Sequence, residues 1–407
     1  MNPPNDPVSQ QLQRLSGRLI AWTGRLVTGR FWWLKVFLLC VAFSVLFSGG
    51  LDFGLGARGG YPESYFRKID QPLLDVGRLY GLNSHDANIN FRLTVPVLLH
   101  VAGIRAHWVL PVLTVLAICT ILIASCFVAE RITGDRVCAA FIALNVSATY
   151  VGSFSFIWYY DAIAIAQLTL ACLPGMQWWL RALLVFTAAF TDERAWAASG
   201  LLLAGGLIFA GGSGDFFSRL RRPGLLAIGA GMAAYAVGRL ALMKLAGLSS
   251  PTGGNGPGML IHNFNFLHPA VWYSLEGGWL FYLLAVFTLL VRRDFWPGAT
   301  LVLVSLGFLG FALMIGDVLR STIYIFPLLF ICLNVVRQHE ALPVLRIYCL
   351  LAFLISALGG NYNVYLAKIT WFQPLAIHWL QGGAQFLYEK AYALLPHTMA
   401  TPVDGAP

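Results

Sequence analysis

The chain has 407 residues, of which 58% are hydrophobic and only 11% charged, with a formal net charge of +9 and a mean hydropathy of +0.70. A soluble globular domain carries roughly 25% charged residues, so these figures exclude one and point to an integral membrane protein. The basic excess does not describe a nucleic-acid surface, because the arginines are scattered over many short loops, where they set orientation in a membrane.

Residues 1–30 are expected to form an amphipathic cytoplasmic segment. In "LQRLSGRLIAWTGRLVTGR" the apolar Leu12, Leu15, Leu19, Trp22 and Leu26 recur at helical spacing opposite Arg14, Arg18 and Arg25, the pattern of a helix lying on an anionic membrane face. Scattered arginines of this kind do not fit a cleavable signal. Eleven spans are then predicted near residues 31–49, 107–128, 137–152, 161–175, 178–192, 195–211, 224–243, 270–291, 297–316, 320–336 and 343–359. The fold class is therefore all-α, a polytopic helix bundle over residues 31–359.

Between the first two spans, residues 50–106 form a long external loop. Its part "ESYFRKIDQPLLDVGRLYGL" has the composition of amphipathic helices on the membrane surface. The following "FRLTVPVLLHVAGI" suits a short re-entrant or juxtamembrane helix, and a crossing there inverts every later side assignment. Residues 360–407 make an external tail with an interface helix near "WLQGGAQFLYEKAYALL". The cysteines Cys40, Cys119, Cys126, Cys138, Cys172, Cys332 and Cys349 all fall inside apolar runs without CxxC or Cys/His spacing, so they are read as core thiols.

Arg131 and Arg136, Arg219, Arg221 and Arg222, Arg292 and Arg293, and Arg337 and Arg346 share a side with the arginine-rich N-terminus, and that side is assigned to the cytoplasm. The opposite face then collects Asp52, Asp161, the run Asp192, Glu193 and Arg194, and Asp317 with Arg320, although separate crossings carry them. A shared polar chamber explains the collection.

Each candidate has a plain reading beside a chemical one. Asp52, in "GGLDFGLGARGG", is either a solvated turn residue or a general base for an attacking hydroxyl. Asp161 follows Trp158, Tyr159 and Tyr160, which form an aromatic belt at the membrane interface, a platform for a sugar ring, or both. "TDER" is either a tight external turn or a site in which Arg194 holds a phosphate while Asp192 or Glu193 meets a metal, a hydroxyl or an arginine. Asp317 and Arg320 stand three apart on one helical face, where they pair or meet an anionic headgroup. Glu276 is placed about two turns inside its span, facing the interior and available to an arginine. His262 and His268 are spaced too loosely for a helical metal pair and belong to a loop folding over the chamber, while the sequon at Asn145 lies within a span and is discounted. A bundle with carboxylates and arginines at one membrane face suits transfer from a lipid-linked phosphate donor: the tail stays in lipid, arginines stabilise the departing phosphate and a carboxylate activates the acceptor hydroxyl.

These features, with "NFRLTVPVLLH", "YYDAIA", "FTDERAW" and "GDVLRSTIYIFP", resemble the GT-C superfamily of integral-membrane glycosyltransferases over roughly residues 31–340. The resemblance implies a polyprenyl-phosphate sugar donor, a glycan or lipid acceptor, inverting transfer at the periplasmic face of a bacterial inner membrane, Asp52 as the base, and Arg194 and Arg320 near the donor phosphate. Many members carry two adjacent acids in the first loop, whereas Asp52 stands alone and Glu63, Asp70, Asp75 and the pair His85 and Asp86 are the next candidates. No cofactor is implied with certainty, and a divalent metal is left open. A transporter or flippase of a lipid-linked or anionic solute is the rival from another class, and a polymerase or ligase of lipid-linked glycans shares the donor chemistry.

Overall fold

The computed structural model describes residues 7–47, 63–82, 87, 89–106, 108–153, 160–209, 222–249, 256–359, 362–365 and 368–371. Asp52, His85, Asp86, Trp158, Tyr159, Arg219, Arg221 and the expected interface helix of the tail lie outside these residues. In chain order the helices are α1 (Pro7–Leu26), α2 (Trp32–Phe47), α3 (Glu63–Asp70), α4 (Val76–Tyr80), α5 (Thr94–Val101), α6 (Val109–Thr133), α7 (Arg136–Ala148), α8 (Asp161–Ala171), α9 (Trp178–Thr191) and α10 (Arg194–Phe209). They continue with α11 (Pro223–Leu245), α12 (Pro257–Phe264), α13 (Leu267–Leu275), α14 (Trp279–Val291), α15 (Phe295–Leu313), α16 (Val318–Thr322), α17 (Pro327–His339) and α18 (Leu342–Gly359). The bundle over residues 31–359 is all-helical where described, as expected, and after it a two-stranded antiparallel hairpin, β1 (Tyr362–Tyr365) with β2 (Lys368–Trp371), pairs Tyr362 with Trp371.

Among the described residues five segments are long and apolar enough to cross a membrane: Val109–Thr133, Pro223–Leu245, Leu267–Val291, Phe295–Leu313 and Val318–His339. Trp32–Val45, Arg136–Ala148, Asp161–Ala171, Trp178–Thr191 and Leu342–Leu358 are apolar but shorter. The eight residues of α5 reach only about 12 Å at 1.5 Å per residue, too short to cross. The exterior is apolar in the way a lipid-facing surface is: Leu283, Phe287 and Val291 on α14, Leu303 and Leu306 on α15, and Val237 and Leu240 on α11 are all exposed. Ser44, Asn145, Thr169 and Ser199 point inward, and this inversion of the soluble pattern gives the chain its transmembrane character.

Two segments lie in the interior, the short α7 and the long Val318–His339. Every residue of α7 after Arg136 is buried, and the alanines at 139, 140 and 143 let α2, α6 and α18 pack closely on it. Its start is fixed locally. Gly134 ends α6 in the left-handed region at φ 68° and donates to the Glu130 carbonyl, and Asp135 then accepts from the Cys138 N–H at 2.8 Å. The same carboxylate accepts from Arg346 at 2.6 Å, which ties α18 to this corner; burial pushes Asp135 up, but the Arg346 and Cys138 hydrogen bonds hold its carboxyl below the usual range. All seven cysteines carry free thiols.

The segment Leu267–Val291 is not one continuous helix. Glu276 adopts φ 46° between α13 and a single 3-10 turn, Glu276–Gly278, that leads into α14. The break is held against α18: the Gly277 N–H donates to Ser356 Oγ at 2.8 Å, and Ser356 in turn donates to Asn145 Oδ1 at 2.9 Å. A Cβ on Gly277 would lie 1.9 Å from the carbonyl oxygen of Ala352, a backbone atom that cannot turn aside. Gly277→Ala is therefore expected to cost about 1–3 kcal/mol or more. Gly307→Ala on α15, where a Cβ meets nothing within 4 Å, is expected to be neutral or to gain up to about 1 kcal/mol. Thermal unfolding of both variants in detergent, followed by size-exclusion fluorescence, checks the contrast; equal midpoints would refute the packing at 277.

Candidate functional site

A chain of buried charges joins five elements at one end of the bundle. Asp161 opens α8 and is fully buried. Its Oδ1 accepts from Arg194 Nη2 at 2.5 Å and from the Tyr324 hydroxyl at 2.9 Å, and its Oδ2 accepts from Arg320 Nε at 2.9 Å and from Arg320 Nη2. Asp192 lies where α9 ends. Its backbone leaves the helix at φ −152°, and its Oδ1 accepts the Arg194 N–H at 3.0 Å and Arg194 Nε at 2.7 Å. One aspartate thus stops α9, caps α10 and engages the guanidinium two residues on, which is why "TDER" folds as it does.

Two further partners close the chain. Arg92, just before α5, places Nη2 3.0 Å from Asp192 Oδ2 and donates from Nη1 to the Tyr65 hydroxyl at 3.2 Å. Arg320 Nη1 donates to Asp317 at 2.9 Å. Arg194 also lies over the Tyr324 ring, 5.1 Å from its centroid. The result alternates arginine and aspartate in the order Arg92, Asp192, Arg194, Asp161, Arg320, Asp317, and its formal charges cancel. Burial pushes the Asp192 carboxyl up, but the Arg194 and Arg92 guanidinium groups beside it hold it well below the usual carboxylate range. For Arg92 burial works to lower the pKa, and Asp192, Tyr65 and Asp161 together raise it above the usual value.

The network is graded in accessibility. The side chains of Asp161 and Asp192 are 0% exposed and that of Arg194 5%, whereas Arg320 reaches 9% and Asp317 18%. Arg320 and Asp317 are therefore the most exposed members of the network, and the Arg194 guanidinium is held between two carboxylates.

Other expected residues separate from this cluster. Glu193 turns away and accepts from Arg239 Nη1 at 2.9 Å; Arg239 also donates to Tyr235 at 2.8 Å and lies 4.1 Å from the centroid of Phe91. Tyr160 is buried against Tyr65, ring centroids 5.0 Å apart, so its face is packed against protein and is not open to a sugar ring. Glu276 faces the interior as expected but meets no arginine: it is fully buried and neither carboxylate oxygen has a hydrogen-bond partner of good geometry. It sits where its helix breaks, at φ 46°. His262 lies on α12 and His268 on α13, and α12 is fastened to the end of α15 by Asn263 Nδ2, which donates to the carbonyls of Leu313 and Ile315 at 2.8 Å each. Among the described residues no three His, Cys, Asp or Glu side chains converge as metal ligands.

Sequence reasoning missed Arg92, Arg239 and Tyr324 as site residues. Arg239 had a signal, a lone charge inside an apolar span. Arg92 had a weaker one in "NFRL", and Tyr324 had none. It also missed a second polar knot beside the network. Lys68 is buried and donates to the carbonyls of Leu74 and Asn90, while Asp75 accepts from Asn90 Nδ2 at 2.8 Å and from Ser249 Oγ at 2.7 Å, pinning the chain after α11 to the loop before α5. Burial pulls the Lys68 ammonium down to about 8, with Asp75 opposing. No protein-family model, curated protein or solved structure matches the chain.

Removing one member leaves a buried charge uncompensated, which typically costs about 3–5 kcal/mol. Asp161→Ala is expected to lose folded protein on that scale, whereas Glu193→Ala, in a pair with both side chains about a quarter exposed, is expected to cost about 1 kcal/mol or less. Comparison of unfolding midpoints in detergent decides it. Because the folded pKa of Asp192 is depressed, its contribution is present above the ordinary carboxylate value and lost as pH falls below it. The midpoint difference between wild type and Asp192→Asn should hold from pH 7 to about 4 and shrink below that; a difference that grows on acidification would contradict the network.

Proposed function

We propose that the protein is a membrane glycosyltransferase that moves a sugar from a polyprenyl-phosphate donor to a glycan or lipid acceptor at the external face of a bacterial inner membrane. The observation that carries the reading is the charge network itself: six charged side chains gathered at one end of a lipid-facing bundle, with Arg320 and Asp317 at its accessible edge. In this reading the N-terminus is cytoplasmic, the apolar helices make eleven crossings, and the helices of the first loop lie on the external membrane surface.

The chemistry follows from the grading of exposure. An arriving donor phosphate displaces Asp317 from Arg320, whose other guanidinium nitrogens stay fixed on Asp161. The acceptor hydroxyl oxygen attacks the anomeric carbon, the bond from that carbon to the phosphate oxygen breaks, and the phosphate leaves with the electron pair, stabilised by Arg320. The hydroxyl proton passes to a carboxylate, for which Asp52 is the candidate. Arg194 and Arg92 act through Asp161 and Asp192 by holding Arg320 in register.

One observation favours the rival reading of a transporter. A span interrupted near its middle, with a buried Glu276 at the break, is the arrangement in which discontinuous helices line a transport site.

The assay is transfer from a panel of polyprenyl-phosphate sugars by the purified protein, with and without chelator. Wild-type turnover should be lost in Asp52→Asn and fall about a hundredfold in Arg320→Lys, with both variants eluting as folded protein. Normal turnover by Asp52→Asn removes the proposed base. No turnover with any donor, beside movement of donor lipid between leaflets that Glu276→Gln abolishes, moves the function to transport.

A further inference from the structure

Of the buried carboxyl groups among the described residues, Asp135, Asp161 and Asp192 each have an arginine within salt-bridge distance. Glu276 has none. It is fully buried where α13 breaks, and neither of its oxygens has a hydrogen-bond partner. The donors around it are committed elsewhere: the Gly277 N–H to Ser356, the Ser356 hydroxyl to Asn145 Oδ1, and Trp279 Nε1 to the Val271 carbonyl at 2.7 Å. Asn145 Nδ2 has no partner and does not reach it, and the Tyr150 N–H approaches without hydrogen-bond geometry.

The elements packed around the break are α7, α13, α14, α17, α18 and the 3-10 turn Tyr150–Gly152. Their charges are engaged away from it. Arg136 and Arg346 answer Glu130 and Asp135, and Arg337 donates to the Thr133 carbonyl at 3.0 Å. His268 opens α13 and His339 closes α17, each at the end of its helix remote from the break. What remains is Tyr150, Tyr273, Tyr282 and Tyr348 with Cys138, Cys332 and Cys349, groups that ordinarily ionise only above about pH 8. No cation among the described residues is placed to balance a negative charge at Glu276.

An ionised carboxylate with neither a cation nor a set of donors is among the costliest groups an apolar interior can hold, and such a group takes up a proton instead. We propose that Glu276 is a proton-binding site, held as the neutral acid at neutral pH at the break between α13 and α14. The bundle thus keeps two kinds of buried carboxyl: Asp161 and Asp192 retain their charge because arginines answer it, and Glu276 gives its charge up. The unfolded chain releases this proton above the ordinary glutamate value of about 4.3, whereas the folded protein keeps it. Its contribution to stability is therefore full below that value. Above it the contribution declines by about tenfold in the folding equilibrium per pH unit, until the folded carboxyl ionises. The inference concerns the break itself and holds under either functional reading above.

The test uses the full chain in neutral detergent. Infrared spectra of wild type at pH 7 should show a protonated carboxyl band that Glu276→Gln lacks. Thermal unfolding from pH 5 to 8 should give Glu276→Gln a midpoint that climbs relative to wild type with each pH unit, on top of whatever constant offset the amide adds. Parallel profiles for the two proteins overturn the site. Wild type alone decides if the variant does not fold, because absence of any protonated carboxyl band at pH 7 also overturns it. The series at pH 8 is repeated with sodium in place of N-methylglucamine at equal ionic strength, and no effect is expected. A wild-type midpoint that sodium raises, beside an unmoved Glu276→Gln, assigns the position to a metal cation and overturns the proton.

Discussion

Asp161 accepts hydrogen bonds from two arginines and a tyrosine, and the charged end of the bundle is organised around that one carboxylate. In an interior of low dielectric a charge is tolerable only when paired and hydrogen-bonded. Asp161 meets the condition with both oxygens occupied, and by doing so it fixes where Arg194 and Arg320 lie. Arg194 then fixes Asp192, and Asp192 fixes Arg92. A single requirement, that no buried charge be left alone, thus positions α8, the turn from α9 to α10, α16 and the loop before α5 relative to each other.

Much of this was legible in the sequence. The grouping of Asp161, Asp192, Arg194, Asp317 and Arg320 followed from arginine counting alone, because helices that cross in alternation return their ends to two faces. What could not be read was which groups pair. Glu193 and Asp192 are neighbours in sequence, yet Asp192 enters the network and Glu193 goes to Arg239, because the backbone turns between one helix end and the next helix start. Tyr160 had two readings, belt residue or platform for a sugar ring, and it packs against Tyr65. Glu276 was placed facing the interior, and it does, at a break in its helix that periodicity does not reveal. Hydropathy likewise reports an apolar stretch without saying whether the helix faces lipid or, like α7, other helices.

A bundle with its outer surface in hydrocarbon has little freedom to place charges on its flanks, so its ends carry the charged pairs. At one end Arg92, Arg194 and Arg320 are answered by the aspartates of the network. At the other, Arg136 and Arg346 are answered by Glu130 and Asp135.

The order of the network along the chain has a consequence for biosynthesis. Read from the N-terminus its members arrive as Arg92, Asp161, Asp192, Arg194, Asp317 and Arg320. Counting +1 for each arginine and −1 for each aspartate, the running total goes +1, 0, −1, 0, −1, 0. As helices are handed one after another into the bilayer, the growing cluster never holds more than one uncompensated charge. The first four members are neutral as a set, and Asp317 with Arg320 enters as a neutral pair of its own. In chain order the network's own charges therefore never sum to more than one of either sign.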